Sequence, residues 1–352
     1  MHKLFKTSIV TFSAYPRASF AFVLAVVFLI IAALAFGYVH IQKVVSAYYF
    51  ERATTTFSQG NNSLDQSEAY FLRSISLYGA DVYYRQLTQL YLARIGVIVS
   101  EISGQQASEE LTREFERLLN NAVVSANSAI EYDPENHENW AALGFIHASA
   151  LSLGAMDFYE NAKEAYQEAI LRSPKNPQLY LILARIETLK KDFTKAKEYV
   201  SLALSIKQNY ADAIFFKSQL EVNEGNIPAA IESVERITLL SPNEVAGFFE
   251  LGLLKYHNSD FRGASVAFER AVTLVSDYAN ARYFLGLSYN RLNRDADAIV
   301  QFENILRSNP DNTEVRLILS NLQAGREPFQ DVIPPIDNEP ENRDELPISE
   351  GN

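Results

Sequence analysis

The side chains that most often carry chemistry are few in this chain, and their spacing forms no reactive set. The sequence has five histidines and no cysteine, so disulfides and thiol chemistry are excluded. No histidine belongs to an HExxH or similar metal-ligand spacing, and no GxSxG, Walker or GxGxxG motif occurs. His137 and His147 share one predicted helix, where we expect His147 to pack rather than to bind metal. These residues predict no catalytic group, no metal, no cofactor and no enzyme activity.

A fixed spacing dominates the second half of the chain. Turn-forming and small residues recur every 34 residues in two registers, namely Pro174, Gln208, Pro242, Ser276 and Pro310, and Ala162, Ala196, Ala230, Ala264 and Ala298. A constant period of 34 with small residues in step predicts stacked helix–turn–helix units. Such arrays bind partners along an extended surface and usually have no catalytic chemistry of their own.

Each unit pairs small residues with aromatic ones in a set order. One unit has Trp140, Leu143 and Gly144 followed by Ala162, Tyr166, Ala169 and Pro174, and another has Phe248, Leu251 and Gly252 followed by Ala264, Phe268 and Ala271. This order resembles the tetratricopeptide repeat (TPR), W-x2-L-G-x2-Y, then A-x3-F-x2-A, then P. The resemblance implies an all-α fold, a TPR α-solenoid in which helix hairpins form a right-handed superhelix.

The sequence predicts five segments. They are a cytoplasmic segment 1–17, a transmembrane helix 18–42, degenerate or extended repeat units 44–136, a regular array with a capping helix 137–324, and an acidic, proline-rich tail 325–352. We expect the tail to be disordered because it has too few apolar residues to build a core. It is either a solvated end or a docking segment around Val332–Ile336.

The predicted transmembrane helix contains 25 residues without a formal charge, from Ala18 to Gln42. That length spans a bilayer. A cleaved signal peptide and a buried helix are the alternatives, and the anchor is favoured because the apolar run continues past the A-x-A-like site at Ala33–Ala35. Lys3, Lys6 and Arg17 precede the span. The positive-inside rule therefore predicts a single-pass cell-membrane protein with a cytoplasmic N-terminus and extracytoplasmic repeats.

Charge narrows the class of partner. The chain carries a net charge of −12, and residues 44–352 alone carry −16 because all 43 acids follow residue 50. A surface of that sign disfavours nucleic acid and anionic lipid as ligands. The sequence therefore predicts protein or peptide partners, with envelope or polysaccharide-assembly proteins among the candidates.

The resemblance implies that the first helix of each unit lines a concave groove. With units numbered from residues 137, 177, 211, 245 and 279, the predicted partner-binding residues are Phe145, Leu181, Arg185, Phe215, Gln219, Phe249, Leu253, Tyr256, Tyr283, Leu287 and Arg291. The Lys and Asn pattern of the family's carboxylate-clamp subtype is absent from positions 5 and 9 of the units. Alternatively, some of these aromatic residues pack against residues 92–121 or against the tail.

Taken together, these features predict a membrane-anchored scaffold or adaptor at the outer face of a bacterial cytoplasmic membrane. Residues 81–92 and 280–292 also resemble the repeat tails of O-antigen-ligase-like membrane proteins. That resemblance implies an alternative, an accessory module in surface polysaccharide assembly. An enzyme is the remaining alternative.

Overall fold

The computed structural model describes residues 16–60, 63–102, 108–152, 154–330 and 346–348. Within these ranges the chain forms fifteen α-helices and one short 3-10 helix, with no β-strand. This confirms the predicted all-α hairpin fold. The chain divides into two compact units, Met1–Ser173 and Pro174–Asn352.

The first unit consists of three successive hairpins. Its helices are α1 (Pro16–Phe57), α2 (Leu64–Leu77), α3 (Asp81–Ile102), α4 (Glu109–Tyr132), α5 (His137–Ser152) and α6 (Tyr159–Arg172), with the 3-10 helix Met156–Phe158 before α6. Helices α3 and α4 exceed the usual repeat length, as the long interval between residues 92 and 121 predicts. Their apolar faces form one core with α1 and α2 around Phe71, Leu90 and Leu118.

Helix α1 combines an apolar segment and the first helix of the first hairpin without a break. Its Ser19–Phe57 part contains a window of mean hydropathy 2.9 that is not buried in the protein, so it is a candidate membrane anchor or signal sequence. At 42 residues the helix is about 63 Å long, roughly twice the thickness of a bilayer core. The helix continues beyond Gln42 because no glycine or proline interrupts the sequence before Phe57.

The last turns of α1 are joined to α2 by small polar residues. The Ser46 hydroxyl donates to the Ser74 carbonyl at 2.8 Å, and the Ser74 hydroxyl donates back to the Ser46 carbonyl at 2.8 Å. Ser67 donates to the carbonyl of Ala53, which is completely buried. Small side chains let the two backbones approach closely, so the apolar part of α1 is held in line with the hairpin.

A buried polar network joins α3, α4 and α5 in the first unit. The Asn139 amide donates to the carbonyls of Ala129 and Asp133 at 2.9 and 2.8 Å and accepts from Arg85 at 2.6 Å. Arg85 also pairs with Asp81 at 2.6 Å. Burial disfavours the Asp81 carboxylate, but hydrogen bonds from the Val82 backbone, Arg85 and Asn136 outweigh it and lower its pKa.

The second unit contains four hairpins and a single terminal helix. Its helices are α7 (Pro177–Leu189), α8 (Phe193–Ile206), α9 (Ala211–Asn223), α10 (Ile227–Leu240), α11 (Val245–His257), α12 (Phe261–Leu274), α13 (Ala279–Arg291), α14 (Asp295–Ser308) and α15 (Thr313–Gln323). The first helices begin at the residues from which the repeat was numbered, 177, 211, 245 and 279. The terminal helix α15 follows the last hairpin as a single helix.

The turns inside these hairpins repeat with the same period as the helices. A residue with positive φ occurs every 34 positions, at Lys191 (61°), Gly225 (74°), Ser259 (61°) and Asn293 (58°). In the first three turns an Asp or Asn follows directly and caps the next helix by accepting a backbone N–H, namely Asp192, Asn226 and Asp260. The left-handed residue ends one helix and the cap begins the next, so the turn geometry is encoded locally.

Two hairpins of the second unit close where a glycine faces an aromatic ring. A Cβ on Gly286 would lie 2.7 Å from Cε2 of Phe302, and a Cβ on Gly252 would overlap the Phe268 ring. Both rings are completely buried. These two glycines are thus contact points between the paired helices of the second unit.

The region after α15 differs in part from the disorder expected of residues 325–352. The Asn321 amide donates to the carbonyls of Pro328 and Gln330 at 3.1 and 2.8 Å, which fixes residues 327–330 against α15. Ile348 is also buried in the second unit. A few apolar residues and backbone hydrogen bonds therefore hold parts of an otherwise acidic segment, while Val332–Ile336 lies outside the described residues.

Candidate partner-binding face

Among the predicted groove residues, only Phe145 belongs to the first unit. It lies on α5, the first helix of its hairpin. Its side chain is 48% exposed. His147, two residues later, is buried and stacks on Phe158 with ring centroids 5.4 Å apart. Burial also lowers the pKa of His147, so the neutral imidazole is favoured. The arrangement agrees with a packing role for His147 and leaves Phe145 as an exposed aromatic residue.

In the second unit, the predicted residues on α7 and α9 form an open stretch, defined here as Arg185, Phe215 and Gln219. All three are exposed, and Phe215 keeps 40% of its surface accessible. The Arg185 guanidinium lies 5.5 Å from the centre of the Phe216 ring, a cation–π distance. Leu181, by contrast, is buried in a cluster with Ala203 and Ala213. The open stretch thus offers one aromatic side chain, one cation and one amide.

The predicted residues on α11 and α13 are mostly covered. Phe249, Tyr256, Tyr283 and Leu287 are all buried, whereas Leu253 is half-buried and Arg291 is exposed. Phe249 packs against Tyr278 and Phe284, and the Tyr283 hydroxyl donates to the Glu314 carboxylate at 2.5 Å. These side chains build the core of the last repeats, so they do not present free anchors to a ligand.

Residues 327–330 cover one end of this buried half. Together with Tyr256, Leu287, Asn290 and Arg291 they enclose a cavity of about 360 Å³. Pro328 is buried, and Phe329 packs against the apolar core of the last repeats. The chain itself therefore fills part of the groove that the repeat numbering assigns to a partner.

A second segment, Leu346–Ile348, is held by Asn280 on α13. The Asn280 side chain donates to the Ile348 carbonyl at 2.8 Å and accepts the Ile348 backbone N–H at 3.1 Å. Asn280 occupies position 2 of its unit, and two of the predicted groove residues, Tyr283 and Leu287, lie on the same helix face. Sequence reasoning missed this residue; an asparagine at position 2 and an isolated apolar pair in the acidic tail were the available signals.

One carboxylate on the first helices of the second unit has a perturbed pKa. Glu250 on α11 is partly buried, and burial raises its pKa above the ordinary carboxylate value. Within the part of the chain that the structure describes, no three His, Asp or Glu side chains converge as metal ligands. The observed arrangement can bind a peptide backbone and apolar side chains.

Comparison with known proteins agrees with this geometry. The family described as tetratricopeptide repeat matches residues 147–214 and 249–313. The chain carries tetratricopeptide repeats. The matched ranges include the 34-residue spacing and the glycine–aromatic contacts described above.

A solved tetratricopeptide structure has the same fold. The C-terminal part of a TPR repeat-containing protein from Cytophaga hutchinsonii aligns with a TM-score of 0.56 and 15% identity, covering 76% of this chain and 98% of that one. At this identity the likeness shows the fold alone.

Two curated proteins share sequence similarity with part of the chain. Human protein O-mannosyl-transferase TMTC3 is 26% identical over 155 residues, which is 43% of this chain and 17% of the transferase. Mouse protein O-mannosyl-transferase TMTC1 is 25% identical over 134 residues, covering 37% and 14% of the two chains. The chain thus spans less than a fifth of either relative. These comparisons do not show the resemblance to O-antigen-ligase-like proteins.

Tetratricopeptide proteins generally bind protein or peptide partners, which agrees with the exposed aromatic residue, cation and amide of the open stretch.

Proposed function

We propose that this protein is a membrane-anchored scaffold whose tetratricopeptide repeats bind a peptide segment of a protein partner. The observation that carries the proposal is the contact between Asn280 and Ile348. Asn280 lies on α13, the first helix of its repeat, and its side-chain amide both donates to and accepts from the backbone of a non-helical segment. Backbone recognition of this type is independent of the segment's side chains. It makes the face suited to peptides rather than to small molecules.

The open stretch supplies the partner's side-chain contacts in this proposal. Phe215 is an exposed aromatic side chain, and Arg185 is an exposed cation close to an aromatic ring. Aromatic residues and arginine are the residue types that most often dominate binding energy at protein interfaces. An acidic or backbone-carbonyl-rich segment would complement Arg185, while Gln219 offers both a donor and an acceptor.

In this proposal, the membrane anchor determines where the scaffold acts. Helix α1 would fix the array at the outer face of a bacterial cytoplasmic membrane, with the N-terminus inside because Lys3, Lys6 and Arg17 precede the span. Attachment to the same membrane raises the effective concentration of a membrane-bound partner. The charge of −16 on residues 44–352 would keep the array away from anionic lipid headgroups.

A second candidate is an accessory module of a glycan-transferring membrane protein, as in surface polysaccharide assembly. The similarity to two O-mannosyl-transferases favours it. In both candidates the repeats bind and do not catalyse, so the partner's identity separates them. A polytopic transferase recovered as the partner would select the second candidate.

The test compares partner recovery by full-length variants purified from solubilised membranes. Phe215→Ala combined with Arg185→Ala should lower recovery of the partner without changing the thermal midpoint, because both side chains are exposed. Leu239→Ala is the matched control, since Leu239 is 81% exposed on the second helix α10. Equal recovery by the double variant and the control would refute the proposed binding face.

A further inference from the structure

The predicted groove face of the last repeats is occupied by the chain's own C-terminal segment. Ile348 is only 3% exposed and belongs to the same apolar cluster as Phe249, Tyr283 and Leu287. Leu346, two residues earlier, is 48% exposed. One side chain of the segment is therefore inserted in the repeats while its neighbour faces water.

The hydrogen bonds at this contact are selective for a backbone. Asn280 is 2% exposed and uses both ends of its side-chain amide on residue 348, donating to the carbonyl and accepting from the N–H. A buried amide without partners costs stability, so the segment that covers Asn280 must also satisfy its amide. Here the satisfying groups come from a residue 68 positions away in the sequence.

A second asparagine makes a parallel contact. Asn321 is 1% exposed and donates to the carbonyls of Pro328 and Gln330. Two buried side-chain amides in the last repeats thus hold two separate stretches of the C-terminal region. Both stretches contain a proline beside an apolar residue, Pro328–Phe329 and Pro347–Ile348.

We propose that Leu346–Ile348 is an internal ligand that occupies the Asn280 site and must leave before a partner peptide can bind there. This inference rests on the proposed function, because it assigns the covered half of the groove to the same kind of peptide. Covalent attachment gives the segment an effective concentration on the order of millimolar. A partner therefore reaches the open stretch first and gains the Asn280 site only by displacing the tail.

Because the chain has no cysteine, a single introduced thiol can measure docking of the tail directly. The full-length variants Ile348→Cys and Leu346→Cys are labelled with a maleimide in membranes. The thiol at position 348 should react at least roughly ten-fold more slowly than the one at position 346, because docking buries it and the two Asn280 hydrogen bonds together favour the docked state by about that factor or more.

Adding Asn280→Ala to each variant should bring the two labelling rates together. Asn290→Ala is the matched control on the same helix α13 and should leave the difference unchanged, because the Asn290 amide donates to Asp295 instead. Asn280→Asp keeps an acceptor but loses the donor, so its rates should be intermediate. Equal rates at 346 and 348 in the parent chain, or no effect of Asn280→Ala in a chain with an unchanged thermal midpoint, would overturn the inference.

A second measurement separates this inference from the scaffold proposal. A photoreactive residue at Leu253, which is half-buried on α11, should capture partner better in Ile348→Glu than in the matched variant Leu346→Glu. Capture at position 215 should be the same in both variants. If position 215 captures partner but capture at position 253 is the same in both variants, the internal ligand is refuted and the scaffold proposal stands. If position 215 captures no partner in any variant, the scaffold proposal fails.

Discussion

The contact between Gly252 and Phe268 gives a prediction whose size follows from the structure. Helix α11 contains two glycines in different surroundings. A Cβ on Gly247 would lie 3.5 Å from Cγ2 of Ile237, an ordinary contact, whereas a Cβ on Gly252 would overlap the Phe268 ring. Alanine at either position raises helix stability by about 0.5–1 kcal/mol. Only Gly252→Ala adds an overpacking cost of about 1–3 kcal/mol, because Phe268 is completely buried and cannot turn away.

The two variants should therefore differ by roughly 1–3 kcal/mol although the chemical change is the same. For a unit of this size, 1 kcal/mol moves the thermal midpoint by about 2–4 °C. The assay is loss of the helical circular dichroism signal on heating the full-length chain in detergent. Gly247→Ala should melt at or slightly above the parent and Gly252→Ala well below it, with Gly252→Leu lower still. If both alanine variants melt together, the assigned hairpin contact is wrong.

Three further predictions concern titration and topology. Because burial raises the Glu250 pKa, its charged form destabilises the fold above that pKa and has no effect below the unfolded value of about 4.3. Glu250→Gln should therefore raise the thermal midpoint at pH 7.5 and lose that advantage near pH 4, and a constant advantage would contradict it. The lowered pKa of Asp81 has the opposite effect on stability. Its carboxylate stabilises the fold above the unfolded value of about 3.9, and this stabilisation is lost as pH falls through the folded pKa. Asp81→Asn should lower the midpoint at neutral pH, with the gap closing in acid; a gap that persists in acid would assign its effect to packing. Finally, a thiol introduced by Ser205→Cys should react with a membrane-impermeant maleimide in intact cells, and reaction only after lysis would place the repeats inside.

The helix pattern was predictable because the repeat is encoded by local contacts. Glycine facing a ring, as at Gly286 and Phe302, fixes how two paired helices meet, and both residues follow the 34-residue period. Aspartate or asparagine caps in the turns then set where each second helix begins. The first helices of the second unit accordingly begin at the residues from which the repeat was numbered.

Whether the groove is open or covered could not be predicted from the 34-residue period. Periodicity identifies the face on which Tyr283 and Leu287 lie, but it does not tell which distant segment covers that face. Coverage depends on Asn280 pairing with Ile348, a contact 68 residues apart in a tail of low hydrophobicity. The exposed state of Phe215 and the buried state of Phe249 likewise depend on neighbouring helices rather than on their shared repeat position.

The continuation of helix α1 past Lys43 was likewise not indicated by the hydropathy pattern. The change in hydropathy near Lys43 marks the end of the apolar segment, but helix formation depends on backbone geometry and not on hydropathy. Because no glycine or proline follows until Gly60, the helix extends into the first hairpin. The candidate membrane segment and the first hairpin thus share one helix instead of being joined by a flexible linker.

Crosslinking in intact membranes tests the central claim most directly. A photoreactive residue at Phe215 samples the open stretch, and the same residue at Leu239 samples a more exposed position on a second helix. The proposed scaffold predicts that position 215 captures a defined protein partner and that position 239 does not. Capture of the same proteins at both positions, or capture at 239 alone, would contradict partner binding along the first helices.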